Sequence, residues 1–208
     1  MFKRIKEIKN LAVATATVIA AIKAVESYGK KVQDKKSKKE VIENSRVLQA
    51  KTLREKFDKI LVGDLTNEGD GGSSKLDVVE LLGEPAVTTD SQIKDVQVEV
   101  DTWRRNMIVV TVQLSGEKVV SKNITGFKWG KRPEKLTLEV FNNLETGSSY
   151  EEIIELIGEP DGYNESKINS NSLVTATWRT GLTGGRGANT ILLFRAGKLV
   201  DKSEAHLV

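Results

Sequence analysis

The strongest constraint on this chain is a stretch that it carries twice. Ser73-Ser74-Lys75-Leu76-Asp77-Val78-Val79-Glu80-Leu81-Leu82-Gly83-Glu84-Pro85 recurs as Ser148-Ser149-Tyr150-Glu151-Glu152-Ile153-Ile154-Glu155-Leu156-Ile157-Gly158-Glu159-Pro160. The same offset carries Trp103 onto Trp178, so the correspondence runs on into the residues that follow. Agreement at a fixed interval over this length marks a duplication, and each copy must build one supersecondary unit. Within each copy a serine precedes an acid by three residues, Ser74 with Asp77 and Ser149 with Glu152, which is the spacing of a capping box. The aliphatic residues between them and the glycine supply a buried helical face, and Gly-Glu-Pro stops the helix.

After each stop the hydrophobic period changes from helical to two. Val96, Val98 and Val100 alternate with Gln97, Glu99 and Asp101, and Met107 to Leu114 is rich in β-branched residues, which predicts two antiparallel strands turning at Arg104-Arg105-Asn106. Gly116-Glu117-Lys118 turns the chain into a strand from Val119 to about Phe127. The second half repeats the plan with Leu173 to Arg179, a glycine-rich tip over 180–188, Thr190 to Arg195, and Leu199 to Ser203 after Gly197-Lys198. Ahead of the first copy, Thr52 to Ile60 reads as a short capped helix with Leu53, Phe57 and Ile60 on one face. Gly63 ends it, and a polar loop, Asp64 to Gly72, follows.

Residues 1–10 carry Lys3, Arg4, Lys6 and Lys9 against Glu7, and an uncharged run from Leu11 to Ile22 follows. Two readings stand: a secretory signal or membrane-associating helix, and a cytoplasmic amphipathic helix with Ile5, Ile8, Leu11, Val18, Ile22 and Val25 on one stripe. Residues 28–50 open on a lysine cluster with little to bury, the composition of a solvated linker or helical extension. The division is then 1–27, 28–50, a first unit over 51–128 and a second over 129–208. The 208 residues are 38% hydrophobic and 29% charged, with a formal net charge of +3, which is the balance of an ordinary globular chain. The chain has no cysteine, which excludes disulfides, thiolate metal sites and a cysteine nucleophile.

The chain resembles the β-lactamase inhibitor protein-like (BLIP-like) superfamily. The residues that carry the resemblance are Gly72 and Gly147 before the second helix, the serine-plus-acid starts, the Leu-Leu-Gly-Glu-Pro and Leu-Ile-Gly-Glu-Pro ends, Trp103 and Trp178, and the turns Gly116 to Val120 and Gly197 to Val200. It spans roughly residues 52–207 and is especially similar to an uncharacterised Gram-positive group of tandem proteins. More distantly it is similar to the outer-membrane assembly lipoproteins of the SmpA/OmlA kind. The resemblance implies an α+β fold: two tandem units, each a helix-turn-helix with an antiparallel sheet of three to four strands, here preceded by an N-terminal helix. It also implies a concave sheet surface that grips a partner protein. The chain departs from the inhibitors in lacking their disulfide cysteines and in having only 5% aromatic residues.

Six residues are candidates for partner contact: Trp103, Trp178, Trp129, Tyr163, Asp70 and Arg186. Trp103 is in phase with Gln97, Glu99 and Asp101, which predicts an indole projecting from the polar sheet face as an interface anchor. The alternative for Trp103 and Trp178 is that both cover the edge of the core. Trp129 lies in the connector between units, Asp70 in the acidic loop and Arg186 at the glycine-rich tip. Asp64, Glu68 and Asp70 do not have the spacing of a calcium loop, and the one histidine, His206, stands near the end of the chain. No catalytic constellation, metal site or cofactor motif emerges. The chain reads as a non-enzymatic, monomeric protein-binding module of a Gram-positive-type cell envelope, secreted or anchored on the extracellular side, with membrane contact through residues 1–27 and an unidentified protein partner. The alternative is an intracellular accessory protein that meets a membrane or nucleic acid through its basic N-terminal helix; nucleic acid is not the first choice, since no aromatic residues interleave with the lysines.

Overall fold

A computed structural model describes residues 39–93, 96–127, 135–179 and 184–208, with backbone alone at 184–186. The readings made for residues 1–27 and for Trp129 lie outside the described residues. Helix α1 covers residues 39–58, and its last part, Ala50, Leu53, Phe57 and then Ile60, enters the first core. It begins well before Thr52, so Thr52 is an interior residue of the helix and not its cap. The physical reason is that residues 40–51 contain no glycine or proline and are largely good helix formers, so nothing stops the helix from extending upstream.

Each duplicated stretch forms a two-turn helix, α2 at Lys75–Leu82 and α4 at Tyr150–Ile157. Both capping boxes are complete. The Asp77 N–H donates to Ser74 Oγ at 3.1 Å and the Ser74 N–H to Asp77 Oδ2 at 2.8 Å. In the second copy the corresponding distances are 3.2 Å and 2.7 Å for Glu152 and Ser149. Gly83 and Gly158 end the helices at φ 81° and 83°, a region that side chains disfavour. A shorter helix, α3 at Leu138–Asn142, precedes α4 and is capped by Thr137.

The eight strands are β1 (Val87–Ile93), β2 (Val96–Arg105), β3 (Ile108–Ser115), β4 (Lys118–Thr125), β5 (Gly162–Ile168), β6 (Asn171–Arg179), β7 (Gly184–Arg195) and β8 (Lys198–Leu207). They form a single antiparallel sheet in sequential order. The fold is α+β, as the sequence predicts. Two strands are additional to those read from periodicity: β1, Val-Thr-Thr-Asp-Ser-Gln-Ile, and β5, Gly-Tyr-Asn-Glu-Ser-Lys-Ile. Neither alternates polar with apolar, because neither is buried in alternation; β1 is exposed almost throughout and β5 is half-buried throughout. Strand β7 also starts earlier than expected, inside the glycine-rich run.

The α-helices among the described residues pack on one face of the sheet, α1 through its residues from Ala50 onward. The first core joins Phe57, Val78 and Leu82 to Trp103, Val110, Val112, Leu114 and Ile124, and the second joins Phe141, Ile153 and Ile157 to Trp178, Ala176, Leu192 and Phe194. The tryptophans are the centre of this arrangement. Trp103 Nε1 donates to the carbonyl of Gly83 at 2.8 Å, and Trp178 Nε1 donates to the carbonyl of Gly158 at 2.8 Å. Each indole thereby ties the end of the duplicated helix to the middle of its sheet. A second shared device caps the preceding helix. Lys122 Nζ donates to the carbonyl of Ile60 at 2.8 Å after α1, and Lys202 Nζ to those of Phe141, Asn142 and Leu144 at 2.7–2.9 Å after α3. In both cases a register shift in the preceding strand pair, at Gln113/Leu114 and at Leu193/Phe194, comes just ahead of the lysine.

Trp103→Phe keeps most of the buried ring but loses the indole donor, and it is expected to destabilise the fold by about 1 kcal/mol. Trp103→Ala removes the ring as well and is expected to cost about 3–5 kcal/mol. Urea unfolding midpoints at unchanged slope check both values, and Trp178 should give the same ranking.

Candidate partner-binding surface

The opposite face of the sheet carries no α-helix among the described residues, only the short 3-10 turn at Leu65–Asn67 at one end. Register assigns its residues: Thr102 pairs with Thr111, Thr111 with Asn123, Asn123 with Asn164 and Asn164 with Thr175, all on this face. Its middle is therefore a band of hydroxyl and amide side chains running across the strands. Thr111, Asn123, Asn164 and Thr175 are all half-buried. Charges stay at the margins, where Arg104, next to last in β2, and Arg179, last in β6, are exposed, again at the duplication offset. Aliphatic residues, among them Val109, Leu173 and the exposed Ile191, flank the band.

One loop closes an end of this face. Leu65, in a 3-10 turn at Leu65–Asn67, packs with Val98 and Val120. The carboxylate of Asp64 holds that loop against the far half of the chain. It accepts from the Thr66 hydroxyl at 2.6 Å, from the Asn169 N–H at 3.1 Å and from the Ser170 N–H in the β5–β6 turn. These bonds hold the Asp64 carboxyl at about 2, below its ordinary 3.8, with the Thr66 hydroxyl as the largest cause and burial opposing it.

On the helix side, the seam between the two halves is lined by charge. An open cleft of about 490 Å³ is bordered by Arg54, Asp58, Lys122, Glu159, Tyr163 and Glu165. Arg54 donates to Asp58 at 2.8 Å and to Glu159 at 3.4 Å, and Lys122 pairs with Glu165 at 3.5 Å. Tyr163 donates its hydroxyl to Glu165 at 3.0 Å, and its ring meets Phe57 and Tyr150 edge to face at 6.0 and 5.8 Å. Burial lowers the affinity of Lys122 for its proton, with Glu165 opposing, and burial followed by the Glu165 charge raises the Tyr163 hydroxyl. The named charges are turned toward one another across the β4–β5 pairing, Ser121↔Ser166 to Ile124↔Tyr163, so the cleft is a joint before it is a receptor.

Of the six residues named from sequence, the four with described side chains, Trp103, Trp178, Tyr163 and Asp70, do not form one patch. Trp103 and Trp178 are 1% and 2% exposed, so the expectation of an outward indole at Trp103 is corrected: both rings lie inside, beneath the helices. Parity placed Trp103 with Glu99 and Asp101, and that grouping is right, but the shared face is the inner one. There the half-buried Glu99 makes an ion pair with Lys75 at 2.5 Å, and buried Asp101 accepts from the Thr88 hydroxyl. Tyr163 belongs to the joint, on the helix side. Asp70 is exposed in the acidic loop, where its carboxylate accepts from Asn67 at 3.4 Å and its carbonyl from the Asp64 N–H at 3.1 Å. Arg186 lies in β7, with its side chain outside the described residues. The threonine and asparagine band was missed, since its residues are individually unremarkable and become a surface only through register.

Residues 49–207 match the family described as "Domain of Unknown Function with solved-structure structure (DUF3862)". Among solved structures, the chain is similar to a Streptococcus mutans protein described as a proposed β-lactamase inhibitor protein. That match has a TM-score of 0.66 and 27% identity, and it covers 76% of this chain and 97% of the other. A search of curated proteins finds no match.

A carboxyl held below its unfolded value stabilises the fold above about pH 4, and that contribution is lost as the pH falls through about 2. The expected outcome is that Asp64→Asn has a lower thermal midpoint than the parent at pH 7. It should also show a flatter decline between pH 4 and pH 2, measured by circular dichroism.

Proposed function

The chain belongs to the DUF3862 family, and from that premise we propose that it is a non-enzymatic protein-binding module whose sheet face opposite the α-helices receives the partner. The observation that carries this reading is that, among the described residues, α-helices cover one face of an eight-stranded sheet while the middle of the other is a half-buried band free of charge. Interface cores are depleted in charged residues, and a surface already held by strand pairing loses little conformational entropy on binding. Threonine and asparagine across the band supply hydrogen bonds to a partner backbone, and Arg104 and Arg179 at its margins supply attraction to carboxylates. The face has no described tryptophan, tyrosine or phenylalanine, since those residues serve the helix side, so binding here depends on area and hydrogen bonding more than on an aromatic anchor.

The likeness to the Streptococcus mutans protein supports a binding role of the inhibitor kind. In this reading the module works at the cell envelope, outside the membrane, and its face is concave toward the target. No helix among the described residues is long and apolar enough to cross a membrane.

A photo-crosslinking amino acid placed at Thr111 or Thr175 of the full chain tests the site. The expected result in cells is a discrete protein adduct from both positions and none from Glu80, which is exposed on the helix side. Equal labelling from all three positions would sink the reading. In the same cells, Thr111→Arg with Thr175→Arg should reduce recovery of that adducted protein by at least about ten-fold while leaving the thermal midpoint within a few degrees.

A further inference from the structure

The two outer strands of the sheet are treated very differently. An unpaired edge invites another strand, and proteins blunt it with charges, bulges or cover. Strand β8 is blunted: it carries Lys198, Asp201, Lys202 and Glu204, and its pairing with β7 is broken by a register shift. Strand β1 is not. Its seven residues pair with β2 in unbroken register, from Val87↔Thr102 to Ile93↔Val96, and six of the seven are exposed. It holds no lysine and no proline, and its single charge is Asp90 at the centre. Among the described residues Asp90 has no ion-pair partner, and across the β1–β2 pair it faces Glu99, whose own partner is Lys75.

We propose that the outer edge of β1, which pairs with no strand among the described residues, accepts an extended segment of a partner protein as a ninth strand, with a lysine or arginine of that segment opposite Asp90. Main-chain hydrogen bonds along the edge supply affinity without regard to sequence, and the side chains that alternate across it supply the choice of partner. On the helix-side face the incoming residue lies directly beside Asp90, which pairs with no cation among the described residues, while Glu99 one strand further in is paired by Lys75, so a cation is favoured there and an acid is disfavoured. On the other face Val87 is half exposed and Ile93 partly buried, which suits β-branched residues at the alternate positions of the incoming strand.

The same charge argues against a second copy as the occupant. Full antiparallel overlap of two β1 edges sets Asp90 against its own equivalent, with a Glu99 beside each. Like charges directly opposite destabilise a strand pair, so Asp90 blocks self-association while leaving the edge open to a basic strand. The edge stands on residues distinct from the threonine and asparagine band, and its test does not require that the band bind anything.

The probe is an acetylated, amidated nonapeptide, Thr-Val-Thr-Val-Lys-Val-Thr-Val-Thr, compared with the same peptide carrying Glu in place of Lys. Each is titrated into the isotopically labelled full chain and followed by backbone amide shifts. The lysine peptide is expected to shift amides of Val87–Ile93 and leave β8 unmoved, and the glutamate peptide to bind about five-fold more weakly. In Asp90→Lys the order of the two peptides should reverse; residue 90 is exposed on an edge, so the substitution leaves the core intact. No shift in β1, equal shifts in β8, or the same affinity for both peptides in the parent and in Asp90→Lys would each overturn the proposal.

Discussion

The structure depends on one hydrogen bond made twice, from a strand indole to the carbonyl of the glycine that ends a helix. A helix terminus leaves its last carbonyls without intrahelical partners, and a buried indole needs an acceptor for its N–H. Trp103 with Gly83 and Trp178 with Gly158 meet both needs at once, each at 2.8 Å. The bond also sets geometry. It fixes how far α2 and α4 reach along the sheet, and the positive φ of each glycine turns the chain away toward β1 or β5. The lysines at 122 and 202 do the corresponding work for α1 and α3, and burial of Lys122 is tolerable because the carbonyls of Phe57 and Ile60 and the carboxylate of Glu165 surround its ammonium.

The two halves meet through three different contacts, and none of them belongs to the duplicated plan. Strands β4 and β5 pair over four positions, fewer than the seven of a pair such as β5–β6. On the helix side, Arg54, Asp58, Lys122, Glu159 and Glu165 neutralise one another across the seam. At the end of the other face, Asp64 takes N–H donors from the β5–β6 turn. A short strand pairing reinforced by charge and by one carboxylate clamp explains why residues Val47–Val208 form one compact unit even though the sequence repeats within it.

Much of this was legible from residues in a row. The Ser74/Asp77 and Ser149/Glu152 boxes, the glycine stops and the strands with alternating or β-branched residues follow from interactions within a few positions of each other. Strands β1 and β5 were not legible. Their residues are exposed or half-buried along the whole length, and periodicity detects a strand only when one of its faces is buried. The upstream part of α1 was missed for the opposite reason: Thr52 resembles a cap, while the preceding residues continue the helix without a break.

What the sequence determined by itself is the capped starts and glycine stops of α2 and α4 and the period of the strands with a buried face, because caps, turns and alternation act locally. It determined that Glu99, Asp101 and Trp103 share one side of β2. Which side faces inward was decided by tertiary structure, since two carboxylates can turn toward a core only when distant groups satisfy them, here Lys75 from α2 and the Thr88 hydroxyl from β1. That choice sends Trp103 inward and leaves Thr102 on the outer face, in line with Thr111. The composition of the outer face at β2 therefore follows from an inward side on which Asp101 finds a hydrogen bond and Glu99 an ion pair.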